Sequence, residues 1–147
     1  MIHPPAVLDH GRAHAAVAVA PQGPPSGATS GSVCRPVTLL SAPGAALYAG
    51  PGWWRALVAA ARAGRDPALV ADILDCADDP AQALAALRLG QAWLVLAPNA
   101  PGFTAVAAVA AARGGGVLAA PPPALDLAQP GAERRLAAWL AGGARQG

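Results

Sequence analysis

Residues 70–120 read VADILD CADDPAQALAALRLG QAWLVLA PNAPGFTAVAAVAAARGGG VLAA, and the alternation of short apolar runs with Ala-rich stretches decides the fold class. Val70 to Asp75, Ala92 to Ala97 and Val117 to Ala120 are continuous apolar runs, as expected of strands covered on both faces. Between them, Asp79 stands as an N-cap with Pro80 at the first helical position, and the helical pattern runs to Leu89 and stops at Gly90. A second helix is expected from Pro101 to Arg113, ended by three glycines. The strand centres lie about 22 residues apart, the length of a crossover connection, which predicts a parallel sheet.

Working outward, Pro36 to Ser41 reads as a strand and Pro51 to Gly64 as a helix. Ala6 to Asp9 and His10 to Ala20 repeat the strand and helix order, and Glu133 to Ala141 closes the chain as a helix. The expectation is α/β: a five-stranded, mostly parallel sheet with flanking helices, flavodoxin-like and doubly wound, with strand order 2-1-3-4-5. The length suits a single α/β domain over residues 1–147, with Pro21 to Ser32, rich in Pro, Gly and Ser, read as a flexible insertion. Ala6 to Ala20 resembles Ile73 to Leu89, and Leu40 to Gly44 is echoed by Leu96 to Gly102. The alternative is therefore a partial TIM-like barrel built from a duplicated (βα)2 unit.

The stretch from Asp79-Pro-Ala-Gln-Ala-Leu-Ala-Ala-Leu-Arg-Leu-Gly90 through Trp93-Leu-Val-Leu-Ala-Pro98 to Gly116-Val-Leu118 resembles consecutive βα units of the KDPG-aldolase-like TIM barrels. The resemblance covers residues 79–118. It implies a lyase acting on a small phosphorylated keto acid through a Schiff-base lysine. This chain has no lysine and too few residues for eight βα units, so that chemistry is carried over to no residue.

All ten basic residues are Arg, which excludes Schiff-base, P-loop and PLP lysines and leaves no cofactor legible. A formal charge of +2 with scattered arginines argues against a nucleic-acid partner. Every apolar run is broken before the roughly 18 to 20 residues of a membrane span. No signal peptide opens the chain, and Cys34 and Cys76 form no CxxC pair, so reduced thiols and a cytoplasmic location are expected.

Ligands of parallel α/β folds sit at the carboxyl ends of the strands, and position selects the candidates there. Asp75-Cys76-Ala77-Asp78-Asp79 is the densest polar cluster. Asp75 and Asp79 are candidate acid/base groups, and Cys76 gains a lowered pKa if its thiol faces the helix N-terminus; the other reading makes Asp79 an ordinary N-cap and Cys76 a small buried filler. Ser41, Gly44 and Tyr48, on a Gly- and Pro-punctuated loop, together with Asn99, are candidates to hold a small anionic, for example phosphorylated, ligand. His10 and His14 stand at i and i+4, but nothing completes a ligand set, so no metal site is expected. No histidine follows His14, which removes a Ser41-based triad.

Trp54, Leu57, Val58 and Ala61 share one helical stripe, while Trp53 points about 100° away. Two readings follow: a domain binding a small anion at its strand ends, or a noncatalytic protein forming a homodimer through the Trp53 helix. A concave site joining Asp75 and Ser41 favours the first, and a mouth plugged by Pro121 to Pro123 favours the second. Composition does not decide whether the chain is an enzyme.

Overall fold

A computed structural model describes residues 3–22 and 33–142 of the chain. Six parallel strands form one sheet flanked by helices, so the α/β class holds. In chain order the elements are β1 (Ala6–Asp9), α1 (Arg12–Val19), β2 (Val37–Ser41), α2 (Ala45–Tyr48), α3 (Pro51–Arg62) and β3 (Val70–Asp75). Then follow α4 (Pro80–Arg88), β4 (Trp93–Val95), α5 (Phe103–Ala112), β5 (Gly116–Leu118), β6 (Ala124–Asp126) and α6 (Ala132–Leu140). Most of the expected insertion at 21–32 lies outside the described residues. At its base Gln22 and Val33 exchange both main-chain hydrogen bonds at 2.9 Å.

Two expectations change. Ala124–Asp126 adds a sixth strand just past Pro121 to Pro123, and the order is β5-β4-β3-β2-β1-β6 rather than 2-1-3-4-5. Successive strands from β1 to β5 are neighbours, so the chain winds in one direction. Consecutive helices pack side by side, α1 on α3, α3 on α4 and α4 on α5, on one face of the sheet, and not on both faces as in the doubly wound sheet expected. That succession is the order around a βα-barrel, opened between β5 and β6.

The register carries the same stagger. Asp126 is level with Leu8, Leu8 with Leu40, Leu40 with Ile73, Ile73 with Trp93, and Trp93 with Gly116. The last residue of β6 is thus level with the first of β5 at the far edge, the kind of stagger that closing a sheet into a barrel requires. Residues 119–123 join β5 to β6, and a span of six residue steps reaches roughly 20 Å at most. Five strand spacings in a flat sheet need about 24 Å. The sheet is therefore curled, with its two edges turned toward each other over the inner face.

The outer face holds the main core. Val7, Leu39, Leu74 and Leu94 of the strands meet Trp54, Leu57 and Val58 of α3, Leu87 of α4 and Val106 of α5. The stripe foreseen on α3 is buried as expected, each large side chain contributing roughly 1.5–3 kcal/mol. Inside the curl, Leu40, Ile73 and Val95 form a second cluster with Leu8, Trp93, Leu118 and Ala124. The His3 ring meets the Trp93 ring edge-on at 4.6 Å and helps to cover it. No helix among the described residues is long and apolar enough to cross a membrane.

Candidate functional site

The carboxyl ends of β2 to β5 border an open groove of about 550 Å³. The β2–α2 turn contributes Pro43 and Gly44, the end of β3 contributes Asp75, and the β3–α4 turn contributes Ala77 and Asp78. Val95 and Ala97 form the floor beside β4, and Ala119 to Pro121, just past β5, form the opposite wall. The mouth is open, with Pro121 on its wall. Its volume is that of a small-molecule site.

Two tight turns shape it. Gly44 has φ +68°, and a Cβ there would stand 3.9 Å from the Ala77 Cβ, so the two loops face each other closely. Ala77 itself has φ +50°, a conformation that L residues rarely adopt. It is held by the Asp75 Oδ1, which accepts its N–H at 2.8 Å, and by its carbonyl, which accepts the Ala97 N–H at 2.7 Å.

Asp75 is 6% exposed and borders the groove. Its main-chain N–H donates to the Ser41 Oγ at 2.8 Å, joining β2 and β3 at their ends. Ser41 is itself buried, and its hydroxyl donates to the Ala42 carbonyl at 3.3 Å. It anchors the main chain at Asp75 and is not among the residues that line the groove. Tyr48 and Asn99 are exposed and stand apart from the lining, so of the four residues expected to hold an anion only Gly44 borders the site.

Asp79 caps α4, its Oδ1 accepting the N–H groups of Ala81 at 2.9 Å and Gln82 at 3.1 Å. The helix terminus that was expected to activate Cys76 is thereby occupied. Cys76 is fully buried, and its thiol is pushed up to about 12, first by burial and then by the charges of Asp75 and Asp79. The lowered thiol pKa is corrected, and the reading of Cys76 as a small buried filler holds. This sulfur stays protonated and packs in the core.

A second polar cluster occupies the same end of the sheet, at β1 and β6. The His10 Nε2 lies 2.9 Å from the Asp126 Oδ1, and the His10 main-chain N–H donates to the His14 Nδ1 at 3.4 Å. For Asp126 a burial penalty is outweighed by hydrogen bonds from the Ala128 N–H, His10 and Gln129, and its pKa falls below the usual value. Asp9 is fully buried; its Oδ1 accepts the Gly11 N–H at 3.0 Å, while its Oδ2 has no partner among the described residues. Burial raises its pKa from 3.8 to about 6 against the opposing pull of the Gly11 N–H and the two histidines. Asp9 ends β1 and His10 follows it, at the same carboxyl end of the sheet. The partner Asp126 lay on the strand that three prolines concealed. Among the described residues no three His, Cys, Asp or Glu side chains could hold a metal together.

Comparison with protein-family models, curated proteins and solved structures found no match to this chain.

Proposed function

We propose that this chain binds a small organic ligand in the groove at the carboxyl ends of β2 to β5. The observation that carries this reading is Asp75, a buried carboxylate at an open groove of ligand size, with one oxygen committed to Ala77. Burying a charged group is costly without partners, and a ligand donor would supply one. The expected anion has little support from the lining, whose ionisable side chains are Asp75 and Asp78. With Asp79 tied to α4 and Cys76 sealed in the core, the groove offers binding before it offers catalysis. Amide spectra recorded against a library of small neutral and charged fragments test the reading. Shifts should gather on Gly44, Ala77, Ala97 and Ala120. Shifts that gather elsewhere, or a silent library, would overturn it.

One observation favours a second reading, self-association. Leu47, Tyr48 and Trp53 are 47%, 69% and 36% exposed along α2 and the start of α3. Large exposed apolar side chains of this kind mark interfaces. Sedimentation of the parent and Trp53→Arg over a concentration series checks it: a dimer that Trp53→Arg dissociates supports this reading, and a monomer throughout rejects it.

A further inference from the structure

Resting on the reading of the groove as a ligand site, we propose that its ligand is an organic cation: an ammonium or amidinium head set on Asp75 and carried by a compact apolar body. Three observations converge on this. The Asp75 Oδ1 accepts the Ala77 N–H, and among the described residues its other oxygen accepts no hydrogen bond. The ion pairs of the described residues use Asp72 and Asp126, so Asp75 borders the groove without a cation of its own. The second ionisable group of the lining, Asp78, is an exposed carboxylate of the same sign, and no arginine lines the groove.

The chemistry of the head group follows. A phosphate or carboxylate would bring like charge against Asp75 and Asp78 in a partly desolvated site. A neutral hydroxyl would donate one hydrogen bond and leave the charge uncompensated. An ammonium or amidinium supplies both the donor and the opposite charge, the strong form of hydrogen bond. A divalent ion fits less well, because it needs more oxygen ligands than these two carboxylates provide. The rest of the wall, Pro43, Val95, Ala119 and Ala120, is apolar and suits a hydrocarbon body.

One body with three heads tests the charge. Cyclohexylmethylamine, cyclohexylmethanol and cyclohexylmethyl phosphate are titrated by calorimetry and amide spectra into the parent, Asp75→Asn and Asp78→Asn. The amine is expected to bind about tenfold or more tighter than the alcohol, with the phosphate weakest. That advantage should vanish in Asp75→Asn and shrink in Asp78→Asn and at about 0.5 M salt. Asn keeps the oxygen that accepts from Ala77, and Asp78 is exposed, so folding is checked and expected for both variants. Equal binding of alcohol and amine, tightest binding of the phosphate, or an amine advantage that survives Asp75→Asn overturns the proposal. So does Mg²⁺ binding that depends on Asp75 while the amine is silent. If the alcohol alone shifts the groove amides, the charge is wrong and the groove reading stands; if all three are silent, both fall.

Discussion

The Asp75 main-chain N–H donates to the Ser41 Oγ at 2.8 Å, so the end of β3 is fixed by a side chain from the end of β2. The carboxylate at the groove therefore sits on a main chain that is held just before it leaves the sheet. Ser41→Ala removes the acceptor and strands a buried N–H, at a cost of about 1–3 kcal/mol. Urea unfolding should show that loss. Any ligand of the groove should also bind more weakly to Ser41→Ala, whereas Ser41→Thr, which keeps the oxygen, should recover affinity.

Asp9 predicts an unusual pH dependence. Its folded pKa of about 6 lies above the ordinary 3.8, so the fold prefers the neutral acid. Its contribution to stability is complete below pH about 4 and is lost as pH rises through about 6. Asp9→Asn keeps the oxygen that accepts from Gly11 and removes the buried charge. It should raise Tm by a few degrees at pH 7.5 and leave it unchanged near pH 3.5. Equal shifts at both pH values would mean that the Asp9 charge carries no such cost.

Much of the fold was legible because its strands are short apolar runs punctuated by Gly and Pro. Val70–Asp75 and the Asp79-Pro80 helix start are found where the residues place them. Strand order was not legible, since pairing depends on the shear of the whole sheet and on none of the local runs. β6 was hidden because three residues after Pro121 to Pro123 carry no periodicity, although they pair fully with Ala6 to Leu8. At the site, Asp75 was legible from strand-end position and Cys76 as a small buried filler, but the burial of Ser41 was not. Which way a strand-end side chain turns is set by neighbouring strands and helices distant in sequence.

Asp72 is the most heavily used carboxylate of the outer face. It accepts from Trp54 Nε1 at 3.0 Å, Gln91 Nε2 at 2.8 Å and Arg62 Nη2 at 2.9 Å, tying α3 to β3 and the start of β4. Asp72→Ala leaves the buried indole donor unpaired and the Gln91 amide with the Trp93 carbonyl as its one remaining acceptor, and should cost about 3 kcal/mol, the low end for a broken buried pair because Arg62 keeps some contact with solvent. Chemical denaturation measures it, and a cost under about 1 kcal/mol would mean that water replaces Asp72 at little penalty.

Gly116 and Trp93 make a tight steric demand in the curled sheet. They are level on β5 and β4, and a Cβ on Gly116 would lie 2.5 Å from the Trp93 ring. The indole thus fills the space that a side chain on β5 would take, and it seals the inner cluster with His3 above it. Gly116→Ala forces the ring off its position and should cost about 1–3 kcal/mol. In a background of Trp93→Leu, a smaller side chain, the same alanine should cost much less, because the clash has lost its partner. A double-mutant cycle therefore expects an interaction energy of about 1 kcal/mol or more between the two positions. Additive costs would place the Gly116 requirement in the main chain of β5 and not in the Trp93 ring.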